Sequence, residues 1–289
     1  MTLLTVPNLS EGRDPEVLAS VAAAFRAAGG RLLDVHTDAD HHRSVFTVAG
    51  YPGSLAEVLM AGAREAVARI DVHAHAGAHP RVGAIDVAPI VYLGDADFGA
   101  AAAEALVSAE LLGSELGLPV FLYGELAGGR TRADLRRGGL EGLARRMQDG
   151  ELVPDYGPRR LHERAGAVLV AARRPLVAFN VELAPPAGLE QARAIAAAIR
   201  DGGDSGLPGV RAIGLALERQ DIVQVSTNIE DLSRVSAADV VAAVRRLAPV
   251  TGAELVAMAP AVALEGFPAD VPLRGFRPER QIIERALDL

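Results

Sequence analysis

The sequence predicts an α+β fold made of two similar halves, because one order of apolar patterns occurs twice along the chain. Each half shows the order β-α-β-β-α-β, which predicts two tandem ferredoxin-like units. The first half has predicted strands at residues 2–6, 31–36, 44–49 and 85–93, and predicted helices at residues 14–30 and 53–70. The second half has predicted strands at residues 176–183, 210–217, 222–229 and 254–258, and predicted helices at residues 186–200 and 236–247.

Local signals support the first predicted helix most directly. Asp14 suits the N-cap, Pro15 suits the first helical position, and Gly29-Gly30 ends the apolar pattern. In the second half, a tight turn near residues 219–221 joins the two central strands.

The region between the halves predicts a helix at residues 97–116 and a strand at residues 119–123. Residues 124–166 are rich in Gly, Arg and Pro, and we expect a long connection without regular structure, which in a compact chain is more often functional than idle. The expected domains are residues 1–173 and 174–289; one large α/β domain is the alternative.

Composition excludes several classes of chemistry. The 289 residues carry a formal net charge of −8, which disfavours a nucleic-acid partner. The chain contains no Lys, so lysine Schiff bases are excluded, and no Cys, so thiolate nucleophiles and disulfides are excluded. The short apolar start does not resemble a signal peptide, and no stretch is long enough to span a membrane. We therefore expect a soluble, cytoplasmic protein.

Histidine is concentrated in the first half, since six of the seven residues lie between His36 and His79. They fall mainly in residues 38–43 (Asp-Ala-Asp-His-His-Arg) and 73–81 (His-Ala-His-Ala-Gly-Ala-His-Pro-Arg), both in predicted loops where catalytic groups are commonly presented. We expect the reactive centre there, although for any single histidine a structural role is about as probable as a catalytic one.

A metal centre is the main alternative. Residues 71–75 (Asp-Val-His-Ala-His) imitate the Asp-x-His-x-His strand of amidohydrolase barrels. That fold needs further histidines from later strands, a late Asp and often a Lys. The sequence has only His162 after His79 and no Lys, so the barrel is rejected. A site built from Asp38, Asp40, His41 and His75 remains chemically possible. We rank it below metal-free acid/base catalysis, because short clusters match metal spacings easily by chance.

Several motifs resemble those of glutamate formiminotransferases and follow that family's order. Residues 6–13 (Val-Pro-Asn-Leu-Ser-Glu-Gly-Arg) resemble the family's opening, and residues 77–86 (Gly-Ala-His-Pro-Arg-Val-Gly-Ala-Ile-Asp) resemble its Gly-Glu-His-Pro-Arg-Met-Gly-Ala-x-Asp segment. Further matches lie at residues 40–47, 119–125, 154–158, 178–180 and 224–228. The resemblance extends from about residue 6 to residue 260.

The resemblance implies two ferredoxin-like subdomains with folate held between them. It also implies transfer of a formimino group from N-formimino-glutamate to N5 of tetrahydrofolate, the co-substrate, without a metal. His79 occupies the position of the family's catalytic histidine and would act as general acid and base. Asp40 is expected to orient an imidazole or to share the proton transfer.

Arginine suits bidentate binding of substrate carboxylates, which both glutamate and folate carry. We expect this role for Arg43 and Arg81; a surface ion pair is the alternative role for both, and more so for Arg43. Asn8, Ser10 and Glu11 are expected either to line the pocket or to form the turn before the first helix. The resemblance places folate against residues 157–166 and extends the expected binding set to Gly157, Pro158, Gly166, Asn180 and Asn228.

Some positions depart from the family's pattern. Ala78 replaces the acidic residue that often precedes the catalytic histidine, and Thr227 replaces a Met. Three other functions therefore stay open. One is a folate enzyme of the same family acting on 5-formyl-tetrahydrofolate, and another is a folate-binding module without catalysis. The third is a metal-dependent hydrolase of formimino or amide substrates that uses His73, His75 and residues 38–42. The resemblance also suggests a homodimer formed through the N-terminal halves.

Overall fold

The computed structural model describes residues 1–75 and 80–289 and divides the chain into two compact units, Met1–Arg174 and Pro175–Leu289. Each unit combines a β-sheet with helices, so the predicted mixture of α and β structure is confirmed. Among the described helices, none is long and apolar enough to cross a membrane.

The first unit begins with the elements that the sequence predicts, except for the short strand β2 (Asn8–Leu9), which lies in a predicted loop. In chain order these are β1 (Leu3–Thr5), β2 (Asn8–Leu9), α1 (Pro15–Ala27), β3 (Arg31–Asp38), β4 (Arg43–Gly50), α2 (Leu55–Arg69), β5 (Ile85–Val91), α3 (Phe98–Ser114) and β6 (Val120–Leu122). It continues with α4 (Arg132–Arg136), α5 (Gly139–Gln148) and β7 (Val168–Arg173). Asp14 caps α1 as predicted, because its carboxylate accepts hydrogen bonds from the backbone N–H groups of Glu16 and Val17.

Within the described residues, the strands of the first unit form one seven-stranded sheet. Both β1 and β2 pair antiparallel with β4 and β5, so they share one strand position interrupted near Pro7. On the outer side of β4 lies β3, and on the far side of β5 lie β7 and then β6, joined by parallel pairings. The sheet therefore contains more strands than the predicted four-stranded unit.

The expectation that residues 124–166 lack regular structure is wrong. This region contains α4 and α5, which pack Leu135, Leu143 and Met147 against Phe121 and Leu169 on one face of the sheet. Helices α1, α2 and α3 cover the opposite face. Many Gly and Arg residues mask two short amphipathic helices here, because too few apolar positions are available to show the helical period.

The second unit follows the predicted order. It contains β8 (Val177–Leu183), α6 (Leu189–Ile199), β9 (Val210–Leu217), β10 (Ile222–Ile229), α7 (Ala237–Arg245) and β11 (Val250–Val256), followed by the short helices α8 (Pro278–Gln281) and α9 (Ile283–Leu287). Its sheet is antiparallel with the strand order β11-β8-β10-β9. Phe179 and Val181 of β8 pack with α6 and α7, while Asn180 and Glu182 alternate with them along the strand.

Candidate functional site

A fully buried carboxylate, that of Asp86, binds two arginines near the start of β5. Nη1 of Arg43 donates a hydrogen bond to Oδ2 of Asp86 at 2.7 Å. Arg136, the last residue of α4, donates from Nη2 to Oδ2, and its Nε lies 3.4 Å from Oδ1. The backbone N–H of Val82 also donates to Oδ1, at 2.9 Å. We call Arg43, Asp86 and Arg136 the arginine–aspartate cluster.

Asn8 fixes the other side of Arg43. Its Oδ1 accepts hydrogen bonds from Nε and Nη2 of Arg43 at 3.1 and 2.8 Å, and its own Nδ2 donates to the carbonyl of Val6. Burial lowers the pKa of Arg43 to about 10, because Asp86 offsets only part of the desolvation and the nearby charges of Arg136 and Arg132 add to the lowering. The group stays cationic at neutral pH, as carboxylate binding requires.

Arg81 links the arginine–aspartate cluster to His75. Its Nη2 donates a hydrogen bond to the carbonyl oxygen of His75 at 2.8 Å. Burial lowers the pKa of Arg81, and the charge of Asp86 acts in the opposite direction. The structure thus places the two arginines predicted from the sequence, Arg43 and Arg81, around one carboxylate.

His42 and His75 form an imidazole pair beside these arginines. Their rings stack with centroids 4.1 Å apart, and Nε2 of His75 lies 2.6 Å from the carbonyl oxygen of His42. His42 has a φ of 49°, in a region that residues other than Gly seldom occupy. Burial lowers the pKa of His75 to about 4, and the charges of Arg81 and His42 act in the same direction.

Glu11 anchors the imidazole pair to the loop before α1. Its Oε1 accepts hydrogen bonds from the backbone N–H groups of Gly12, Arg13 and Asp14, and lies 3.0 Å from Nε2 of His42. Burial alone would raise the pKa of Glu11, but these hydrogen bonds and the nearby imidazole lower it on balance. Glu11 therefore combines a turn-forming role with direct contact to a histidine of the candidate site.

A second imidazole–carboxylate contact lies in the β3–β4 hairpin. Oδ1 of Asp38 accepts hydrogen bonds from the backbone N–H of His41 and lies 3.0 Å from its Nδ1. Although burial acts to raise the pKa of Asp38, these bonds lower it far below its usual range. Asp40, the predicted orienting carboxylate, lies in the same turn and donates its backbone N–H to Asp38.

Ser10 and two of the predicted folate-contacting glycines have backbone-positioning roles. Oγ of buried Ser10 donates to the carbonyl of Gly83 at 2.7 Å. A Cβ on Gly157 would collide with the carbonyl oxygen of Leu118, and one on Gly166 would collide with that of Val82. Both glycines have a positive φ, so the backbone conformation also favours glycine.

The remaining predicted binding residues are distributed as follows. Pro158 is half-buried in the loop after Gly157. Asn180 and Asn228 belong to the second unit: Nδ2 of Asn180 donates to Glu254 at 3.0 Å, and Asn228 lies opposite Ala178 and Arg211 in the sheet.

His79, the predicted catalytic residue, lies outside the described residues. On its N-terminal side His75 is half-buried in the imidazole pair, whereas His73 is exposed. Within residues 1–75 and 80–289, no group of three or more His, Asp or Glu side chains is placed to hold a metal ion.

Sequence reasoning did not select Asp86, Arg136, His42 or His75 for the catalytic or substrate-binding set. Asp86 and His75 stand in or beside quoted motifs, so their positions carried a signal that was not used. Arg136 carried none, because it lies among many arginines in a region without recognisable periodicity.

Comparison with known proteins gives consistent matches along the chain. The family model described as the formiminotransferase domain, N-terminal subdomain, matches residues 2–173, and the model described as the formiminotransferase domain matches residues 178–266. The chain is 37% identical to the glutamate formimidoyltransferase of Streptococcus pyogenes serotype M1, over 90% of this chain and 89% of that protein.

Two further relatives agree with these matches. Identity to the glutamate formimidoyltransferase of Thermoplasma acidophilum is 36%, over 78% of this chain and 75% of that protein. Identity to the formimidoyltransferase-cyclodeaminase of Rattus norvegicus is also 36%, over 90% of this chain but 50% of that longer protein. The chain therefore belongs to the formiminotransferase family.

Proposed function

We propose that this protein is a glutamate formimidoyltransferase that moves the formimino group from N-formimino-L-glutamate to N5 of tetrahydrofolate. The similarity to the Streptococcus pyogenes enzyme, over about nine-tenths of both chains, is the observation that carries the proposal. The geometry is consistent with it, because Arg81 connects a cationic cluster to an imidazole pair in the first unit. Such a combination suits a substrate with carboxylates and a reaction with proton transfers.

The chemistry requires one proton to leave the attacking nitrogen and one to reach the leaving nitrogen. N5 of tetrahydrofolate attacks the amidine carbon of the donor and forms a tetrahedral intermediate. His79 removes the proton from N5 and then protonates the departing glutamate nitrogen, so that the C–N bond to glutamate breaks as the bond to N5 is retained. Asp40 orients an imidazole or shares this proton transfer, and no metal is needed.

Substrate binding is assigned to both halves of the chain. Arg43 and Arg81 bind carboxylates, while Asn8, Ser10 and Glu11 shape the pocket around them. We propose that residues 1–173 and 174–289 are two ferredoxin-like subdomains with folate between them. Folate then contacts the remaining predicted residues, Gly157, Pro158, Gly166, Asn180 and Asn228. The protein is proposed to act as a cytoplasmic homodimer on small-molecule substrates, without nucleic-acid or membrane partners.

The test is to incubate purified protein with tetrahydrofolate and N-formimino-glutamate, acidify, and measure the absorbance of methenyl-tetrahydrofolate. We expect product from the wild type and a rate lower by about 10²–10⁴ in His79→Ala, the usual contribution of a general acid/base. His73→Ala is the matched control, because His73 is exposed in the same segment. Its rate is expected to equal that of the wild type.

The metal-dependent alternative predicts a different pattern. A hydrolase that uses His73 and His75 as ligands would lose activity in His73→Ala and would contain stoichiometric metal that is removed together with activity. Wild-type protein that forms no methenyl product under these conditions would contradict the proposed transferase.

A further inference from the structure

The arginine–aspartate cluster contains more positive than negative charge. Asp86 is fully buried and is shared by Arg43 and Arg136, whose side chains are each only 13% exposed. Arg81 and Arg132 act on the same groups through Coulombic interactions, Arg81 with Asp86 and Arg132 with Arg43. These interactions join one carboxylate to four guanidiniums. Two guanidiniums that share one carboxylate attract a further anion through Coulombic interaction, so such an arrangement favours the binding of an anionic ligand.

Arg136 retains hydrogen-bonding capacity after its contact with Asp86. That contact uses Nε and Nη2, along one edge of the guanidinium. Within the described residues, Nη1 of Arg136 has no hydrogen-bond partner. A guanidinium offers five N–H donors, and a planar carboxylate is the ligand that this geometry matches best.

Asp86 holds both guanidiniums in place before any ligand arrives. Its two oxygens accept from Arg43, Arg136 and the backbone N–H of Val82, and Asn8 fixes the opposite side of Arg43. A preorganised pair of cations loses little side-chain freedom on binding, and this strengthens recognition. Replacement of Asp86 would release both arginines together.

We propose that Arg136 and Arg43 form a carboxylate-binding subsite, with Arg136 determining substrate specificity and Asp86 acting as a positioning residue. The inference rests on the proposed function, because that function supplies the ligands. Carboxylates are present both on the N-formimino-glutamate donor and on the glutamate tail of folate. Arg81 interacts with Asp86 and donates to the carbonyl oxygen of His75, so a carboxylate bound at this subsite lies near the imidazole pair.

The test compares steady-state kinetics of Arg136→Gln with those of Arg137→Gln. Arg137 is the matched control, because it is the next residue, its side chain is 69% exposed, and its ion pair is with Glu151 at the surface. We expect Arg136→Gln to raise the KM of one substrate about 10- to 100-fold with little change in kcat, as the loss of a charged hydrogen bond implies. Arg136→Lys restores the charge without the fork and should recover part of the loss.

Two truncated substrates distinguish the source of the carboxylate. With formamidine, which carries the formimino carbon but neither carboxylate of the donor, a donor subsite predicts that Arg136→Gln and wild type perform alike. With the carboxamide of tetrahydropteroate, which lacks the glutamate tail and carries no carboxylate, a folate-tail subsite predicts the same equality. A penalty in Arg136→Gln that persists with both truncated substrates, or equal effects of Arg136→Gln and Arg137→Gln, would overturn the proposal.

Two further measurements keep the inference separate from folding and from the proposed function. Asp86→Asn should raise the same KM, and adding Arg136→Gln to it should have little further effect, because both changes disrupt one unit. If circular dichroism shows that Asp86→Asn does not fold, the comparison of Arg136→Gln with Arg137→Gln still tests the subsite. Calorimetric titration with glutarate tests the subsite without turnover: wild type and Arg137→Gln should bind it at least about 10-fold more tightly than Arg136→Gln. Equal binding contradicts the subsite even if transfer to folate is confirmed.

Discussion

His42 and His75 stack face to face, with ring planes 19° apart, and each imidazole has its Nε2 directed at an oxygen acceptor. For His75 this acceptor is the backbone carbonyl of His42, which cannot donate, so Nε2 of His75 carries the proton. For His42 it is the carboxylate of Glu11. In the neutral state of His75, Nδ1 is therefore the basic nitrogen, and among the described residues it has no hydrogen-bond partner.

The first prediction concerns the protonation of His75. Its pKa of about 4 means that the ring stays neutral above pH 5 in the folded protein, whereas an unfolded histidine titrates near pH 6.5. The unfolded state binds more protons between these values, so the free energy of unfolding should decrease as the pH falls from 6.5 towards 4. Urea denaturation at several pH values measures this dependence.

A His75→Gln variant is the comparison for that experiment. It retains a polar side chain but cannot titrate, so its free energy of unfolding should vary less with pH in the same interval. An NMR titration of the His75 ring that shows a midpoint near or above 6.5 would contradict the burial-induced lowering of the pKa.

The second prediction concerns Glu104, a buried residue of α3 whose carboxylate caps the N-terminus of α2. Its carboxylate accepts hydrogen bonds from the backbone N–H groups of Gly53 and Ala56 at the start of α2, where the side chain of Ser54 makes no cap bond. Glu104→Gln replaces an acceptor by an N–H donor and should reduce the free energy of unfolding by about 1–3 kcal/mol.

Glu110→Gln on the exposed side of α3 is the control for Glu104. Surface substitutions usually change stability by less than about 0.5 kcal/mol, so a clear difference in denaturation midpoint is expected. Equal midpoints for the two variants would show that the cap contributes nothing.

The third prediction concerns the packing of α3 against the loop at Gly157. A Cβ on Gly113 would lie 2.7 Å from the backbone nitrogen of Gly157 and 3.0 Å from its Cα, so Gly113→Ala should cost about 1–3 kcal/mol through overpacking. Gly99→Ala in the same helix meets open space and should leave stability unchanged or raise it by up to about 1 kcal/mol. Thermal unfolding of both variants measures the difference in stability. A destabilised Gly99→Ala together with an unaffected Gly113→Ala would contradict the close packing of Gly113 against Gly157.

Much of the fold could be predicted from the sequence because its signals are local. Strands β9 and β10 have the predicted bounds, since alternating patterns and turn residues define them without distant partners. By contrast, β7 was missed. Its residues form a continuous apolar run that is typical of a strand buried on both faces, and such a run lacks the alternation that identifies a half-exposed strand.

The candidate site could be predicted only in part. Arg43, Arg81 and Glu11 were selected because they stand in motifs with suitable chemistry. The contact between Arg136 and Asp86 joins residues that are 50 positions apart, and the stack of His42 on His75 spans 33. No local pattern reports such pairings, because tertiary packing determines them.

Strand β7 also constrains when the first unit can form. It lies between β5 and β6 in the sheet although it follows both in the chain, and it pairs with each of them in parallel. During synthesis, the backbone edges of β5 and β6 that face β7 stay unpaired until residues 168–173 leave the ribosome, and exposed strand edges favour aggregation. Parallel pairing over so long a sequence separation is intrinsically slow. The sheet that supports the arginine–aspartate cluster is therefore expected to close late, when its central parallel strand inserts between two strands made earlier.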